Sequence, residues 1–373
     1  MTERNEPDDI RVPQAELRRL VDEDVLIEDG GNAVIYWCEY RQQRYLYKRF
    51  REEHRTAVDE AALVRLVRWR RALSPASRTE LDQLAAWPRH VVYTDTGQLG
   101  GVLMPAAGPR YFRPVRDGRR TPRGLYELIG SPNRPGAPLA VRVSVLGRLI
   151  KVVRWLHRQG VVVNDLQPDN LLYHCAESGA AVYAVDCDSM VSPAQWGRTG
   201  PLAVPDLMSE VLPVDTEPTV ETDLTKLFWI VARVLLDEPS AIGIGPRDQA
   251  LLLGAVPAAT RRHMTALLHD PTDQASWAAL ATEWNVPLPP RSSPRRPPEP
   301  VPAALPRWSH RGGWLPPGWS YRPPPGPPVL PARLNGKRTA RSVRVAVSAL
   351  VGSAAAAMTL LSVLIVQLVL GGR

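Results

Sequence analysis

The chain has 373 residues, enough for one large domain or two smaller ones, and its 44% hydrophobic content is ordinary for a globular protein. The formal net charge is +8, but the basic residues are dispersed, one cluster sits beside an apolar tail, and no nucleic-acid-reading motif occurs, so no nucleic-acid partner is expected. Cys38, Cys175 and Cys187 are widely spaced and odd in number, which argues against a disulfide framework, fits a reducing compartment and leaves no Cys-x-x-Cys pair for zinc.

The N-terminus holds no apolar core of signal-peptide type, and globular texture runs from about Val25 to Leu288. Asp29-Gly30-Gly31-Asn32 reads as a turn between two strands. Tyr45-Leu46-Tyr47-Lys48 is strand-like, and Lys48 alternates with apolar neighbours so that it points inward. Lysine is scarce: Lys48, Lys151, Lys226 and Lys337 are the only ones. An inward lysine without a partner is costly. Glu60, in the helix-like run Ala57 to Leu66, is the expected partner, with Glu52 and Glu53 less well placed. The alternative is a solvated edge-strand lysine beside ordinary helix carboxylates.

Leu146 to Leu156 is apolar-periodic and expected to be helical, with Gly160 placed where the helix would stop. Val161 to Val163 is β-branched and reads as a short strand. Leu171-Leu172-Tyr173 and Ala181 to Val185 flank Glu177-Ser178-Gly179, which predicts a hairpin. Around these elements stand Asp165, Asn170 and, after the hairpin, Asp186 in Val185-Asp186-Cys187-Asp188. Asp and Asn are common turn residues, so their spacing alone is weak. Their chemistry nonetheless suits metal-assisted phosphoryl transfer: Asp165 can accept the proton of an attacking hydroxyl, and Asn170 and Asp186 can hold Mg²⁺, a hard cation that prefers oxygen. Downstream, Glu221 to Trp229 predicts a helix start, with Asp223 favourable near the positive end of the helix dipole.

From Val286 to Arg333 the composition changes to repeated Pro-Pro steps, expected to be an extended polyproline-like linker interrupted by Trp308, Trp314, Trp319 and Tyr321. Val345 to Leu370 contains no charged residue and exceeds the ~20 residues needed to cross a bilayer. Lys337, Arg338, Arg341 and Arg344 precede it and only Arg373 follows, so the globular part is expected to face the cytosol. The expectation is a single-pass cell-membrane protein anchored at its C-terminus. Gly352-Ser353-Ala354-Ala355-Ala356-Ala357 offers a small-residue face for helix pairing and self-association.

Helix, loop with Asp and Asn, hairpin, then Asp is the order of a protein-kinase catalytic loop and magnesium loop. The chain resembles bacterial eukaryotic-type (Hanks-type) serine/threonine kinases. More narrowly it resembles a divergent kinase-like subgroup whose magnesium loop reads like Val185-Asp186-Cys187-Asp188-Ser189 and whose hinge region reads like Trp87-Pro88 with Gly101-Val102-Leu103-Met104-Pro105. The resemblance covers residues 21–285 and implies an α+β, bilobal protein-kinase-like fold, with a small mainly β N-lobe and a larger mainly α C-lobe. Around it lie an N-terminal extension (1–20), the Pro-rich basic linker (286–343) and one transmembrane helix (344–370). Its implied ligands are ATP and Mg²⁺, with Mn²⁺ as a substitute, and its implied partner is a protein carrying Ser or Thr.

The resemblance also implies roles. Asp29 to Tyr36 resembles the glycine-rich loop, placing Gly30, Gly31 and Ile35 at the nucleotide, with Ala33 where the last glycine is expected. Lys48 would orient phosphates and Glu60 would hold Lys48. Met104 and Ala106 fall at the hinge, where backbone groups bind adenine. Asp165 would be the catalytic base, and Asn170 and Asp186 metal ligands. Pro205 to Glu210 vaguely resembles the end of an activation segment, and Asp223 would anchor the catalytic loop.

Three departures stand out. Val163 and Asn164 replace the usual His and Arg, which removes the partner of a phosphorylated activation loop. Gln167 replaces the lysine near the transferred phosphate. Asp188 replaces a glycine, and either adds a second carboxylate at the metal or reshapes the loop. An active kinase is therefore the leading expectation; a tethered pseudokinase that senses nucleotide or serves as a scaffold is the second, and a small-molecule phosphotransferase the third.

Overall fold

The computed structural model describes residues 9–19, 33–114, 120–130, 135–176, 179–193, 212, 216–239, 241 and 244–284. Gly30 and Gly31, the segment Pro205 to Glu210, the Pro-rich linker and the expected membrane helix lie outside the described residues. No helix among the described residues is long and apolar enough to cross a membrane.

The architecture is mixed α and β, with a sheet-rich N-terminal part and a helical C-terminal part. Six strands form the main sheet: β1 (Arg11–Pro13), β2 (Arg18–Arg19), β3 (Ala33–Tyr40), β4 (Gln43–Phe50), β5 (His90–Tyr93) and β6 (Leu99–Met104), in the order β1-β5-β6-β4-β3-β2. Side chains alternate across such a strand. On one face of β3 and β4, Ala33 and Phe50 join the main core; on the other, Cys38, Tyr40, Tyr45 and Tyr47 form a second, aromatic cluster.

Between β4 and β5 come α1 (Glu52–Arg55), α2 (Glu60–Ala72) and α3 (Pro75–Leu84). The Asp59 side chain caps α2 by accepting Ala62 N–H at 3.0 Å, which moves the helix start to Glu60 from the expected Ala57. Ser74 caps α3, with Pro75 at its first position. This third helix packs against the strand Gly179–Ala184 of the C-terminal part, and just after the helix Ala86 N–H donates to Ala184 O at 2.8 Å.

A small hairpin, β7 (Phe112–Pro114) and β8 (Arg120–Pro122), precedes α4 (Leu139–Arg158). The 3.6-residue period of Leu146, Leu149, Ile150, Val153 and Leu156 buries one stripe of α4. The expected hairpin is β9 (Leu171–Ala176) and β10 (Gly179–Ala184), in antiparallel register from Leu171↔Ala184 to Ala176↔Gly179. Helices α5 (Val220–Leu236), α6 (Pro246–Ala255), α7 (Arg261–His269) and α8 (Gln274–Glu283) are the last elements among the described residues. A Thr219–Thr222 capping box starts α5. α4 packs against β10, α5 and α8.

Candidate functional site

Lys48 reaches the site from β4. Its cross-strand neighbours are Ile35 on β3 and Val102 on β6, so its stem lies in an apolar row. Gly101 allows β6 to close on β4: a Cβ there would lie 2.1 Å from Lys48 O. The amine is buried and donates to Asp186 Oδ1 at 2.7 Å and to Asp188 Oδ1 at 2.9 Å. Burial alone favours the neutral amine; the two carboxylates prevail and hold Lys48 above its ordinary pKa.

Glu60 does not pair with Lys48. It sits in the first turn of α2, and its Oε1 takes Tyr93 Oη at 2.5 Å and Arg11 Nη2 at 3.1 Å. The late start of α2 and the arrival of β1 beside β5 give Glu60 partners of its own.

The loop after α4 turns at Gly160, whose φ of 77° suits glycine. The expected strand at Val161 to Val163 is a single bridge, Val162 to Val191, because the chain leaves extended geometry at Asn164 with φ of 64°. Asparagine tolerates that left-handed conformation, and its Nδ2 donates to Ser189 O at 3.0 Å. Asp223, in the first turn of α5, is fully buried and fixes this turn: it accepts Val163 N–H at 2.6 Å and Asn164 N–H at 3.0 Å, with His157 Nε2 at 2.9 Å. Lys226, one turn along α5, donates to Asn164 O at 2.6 Å.

These anchors present Asp165, which is 8% exposed. Gln167 Nε2 donates to its Oδ1 at 3.0 Å and Asn170 Nδ2 to its Oδ2 at 2.6 Å. Burial, aided by the negative charge of Asp186, pushes Asp165 up to about 7, against the pull of Asn170, Lys226 and Gln167. Gln167 thus points at the candidate base. Asn170 closes a 3-10 turn from Pro168, and its carbonyl accepts Val185 N–H at 2.8 Å, which ties it to the strand leading into Asp186.

Asp186 has φ of 61° and a side chain 42% exposed, whereas the Asp188 side chain is 1% exposed. Asp188 Oδ2 is buried without a hydrogen-bond partner among the described residues. Among those residues no three His, Cys, Asp or Glu side chains gather as a metal cluster. The donors present are the carboxylates of Asp186 and Asp188 and the amide oxygen of Asn170, whose nitrogen is occupied by Asp165. An all-oxygen set with one solvent-open carboxylate and one orphaned buried oxygen suits a hard divalent cation that keeps some water. Met104 ends β6 with its side chain buried, and Ala106 follows half-buried outside the strand.

The structure therefore gathers Lys48, Asp165, Gln167, Asn170, Asp186 and Asp188, and sets Glu60 apart. Lys226 and His157 carry supporting roles that motif reading did not assign. The scarcity of lysine, and the placement of Lys226 three residues after Asp223 on one helix face, were the available signals for the first. No family model matches the chain, and no curated protein matches it.

Proposed function

We propose that the chain is a protein-kinase-like phosphotransferase of bilobal design. In this reading it binds Mg·ATP between the sheet-rich and helical parts and transfers the γ-phosphoryl group to a Ser or Thr hydroxyl of a protein. The observation that carries the reading is the Lys48–Asp186 pair, which joins residues 138 apart in sequence and brings a strand lysine to the loop beside Asp165 and Asn170. Asp165 accepts the hydroxyl proton once ionised, and Asn170 and Gln167 hold its carboxylate in place. Asn170 and Asp186 would hold the metal, which when bound neutralises phosphate charge. Lys48 orients the phosphates, and the backbone at Met104 and Ala106 meets adenine. Gly30 and Gly31 are assigned to the phosphates in this proposal from their sequence alone. The tail from 344 to 370 anchors the protein, with the kinase-like part in the cytosol.

A second reading has its own support. Both oxygens of Asp165 are occupied by amides, and a neutral Gln167 stabilises developing phosphate charge less well than an ammonium, a deficit of ~10²-fold. A nucleotide-binding pseudokinase fits these facts. The deciding experiment is a thermal shift with ATP, with and without Mg²⁺, followed by radiolabelled autophosphorylation. The kinase reading expects a Mg²⁺-dependent shift and label that Asp165→Ala abolishes. A shift without label supports the pseudokinase, and no shift removes the nucleotide reading.

A further inference from the structure

Lys48 has two carboxylate partners that differ sharply in surroundings. The Asp186 side chain is open enough to solvent for a hydrated cation to reach it; Asp188 is sealed from solvent. Once Asp186 turns toward a cation it shares its charge with the metal, and Lys48 then needs a second fixed carboxylate to hold its buried amine in place for the phosphates. Glu60 is poorly placed to serve, being held by Arg11 and Tyr93. Asp188 is already in place. It lies in the 3-10 turn Cys187–Ser189, which is held on both sides: Asn164 Nδ2 donates to Ser189 O at 3.0 Å, and Ser189 Oγ donates to Asp186 O at 3.2 Å.

We propose that Asp188, and not Glu60, is the positioning residue for Lys48 in the nucleotide-bound protein, while Glu60 ties the N-terminal strand β1 to the sheet. The inference rests on the nucleotide reading above and goes beyond it. It changes what controls the site. When a helix carboxylate holds the lysine, moving the helix misaligns the lysine. Here the lysine partner and a metal ligand share one turn, Asp186 to Ser189, so Lys48 stays aligned whatever α2 does. It also gives Asp188 a role apart from the metal-ligand role that its sequence position suggests: Oδ1 is committed to Lys48, whatever Oδ2, which has no hydrogen-bond partner among the described residues, meets when a cation is bound.

The test is a pair of double-mutant cycles on ATP dissociation constants, measured by calorimetry with Mg²⁺ and again in EDTA. One cycle combines Lys48→Met with Asp188→Asn, the other Lys48→Met with Glu60→Gln. Asp188→Asn should weaken ATP binding about 10-fold with Mg²⁺, equivalent to ~1.4 kcal/mol, and less in EDTA, where Asp186 still pairs with Lys48. The double variant should bind no worse than Lys48→Met alone. Glu60→Gln should stay within about twofold of wild type. The proposal is overturned if Asp188→Asn leaves ATP affinity at the wild-type value, if it weakens binding as much in the Lys48→Met background as in wild type, which marks a role through the metal and not through Lys48, or if Glu60→Gln matches the loss of Lys48→Met. Should Asp188→Asn melt below the assay temperature, the Glu60→Gln cycle decides alone by the same criterion. If Lys48→Met itself leaves ATP affinity unchanged, the nucleotide reading fails, an outcome distinct from wild-type binding with the wrong coupling.

Discussion

Asp165 sits where burial favours the neutral acid and two amide donors favour the carboxylate. Burial prevails and the group titrates near 7, against about 3.9 in an unfolded chain. Between those values the folded protein keeps a proton that the unfolded chain has released. This carboxyl's contribution to stability is therefore greatest below about pH 4 and falls as pH rises toward 7, by at most ~1.4 kcal/mol per unit. Asp165→Asn removes the titration. The melting temperature of the unliganded variant minus that of wild type should rise from pH 5 to about pH 7 and level off above it. A flat difference would mean that Asp165 ionises as easily as an exposed carboxylate. Asp165, Asn170 and Asp186 were legible in the sequence because short-range chain geometry places them, through one tight loop and one hairpin. The partner of Lys48 was not. Which of several carboxylates reaches it depends on where α2 begins and on the competition of Arg11 and Tyr93 for Glu60, and no local pattern encodes either.

Two helices fix the site, and each yields a test of which force dominates. A carboxylate that merely favoured the α5 dipole would be worth ~0.3–1 kcal/mol. Asp223 instead satisfies two backbone N–H groups and His157 in a fully buried setting, and each orphaned group costs about 1–3 kcal/mol. Asp223→Ala should therefore cost at least about 3 kcal/mol in denaturant unfolding and speed amide exchange at Val163 and Asn164. A loss under 1 kcal/mol would leave only the dipole role. In α4, Gly147→Ala should gain about 1 kcal/mol from helix propensity. The added Cβ, however, would stand 2.7 Å from the backbone of Trp284, which is itself fully buried. Overpacking of that kind costs ~1–3 kcal/mol, so the variant should melt lower than wild type. A higher melting temperature would show that Trp284 shifts freely. The periodic stripe of α4, its glycine stop and the β9–β10 hairpin were readable from spacing, because hydrophobic period and turn chemistry act over a few residues. The single bridge at Val162 was misread as a strand, because β-branched residues are equally at home in a buried loop held by Asp223.

At the scale of the molecule, the sheet-rich and helical parts share one apolar core. Phe50, Val91 and Val102 from the sheet belong to the same cluster as Leu149, Leu156 and Leu171, and the Ala86–Ala184 bond joins the two parts directly. Trp284, just after α8, is fully buried, and its indole Nε1 donates to Thr260 Oγ1 at 3.1 Å. The apolar run from Val345 to Leu370 is separated from that point by a linker whose prolines favour an extended chain. If that run is an anchor rather than a piece of core, removing it leaves the folded part whole. Deleting residues 345–373 should preserve the melting temperature and ATP affinity while abolishing flotation with lipid vesicles. Trp284→Ala in the shortened protein supplies the contrast, because emptying a packed tryptophan site costs ~3–5 kcal/mol. If the deletion itself destabilises on that scale, the apolar run packs against the globular part, and the cytosol-facing topology falls with it.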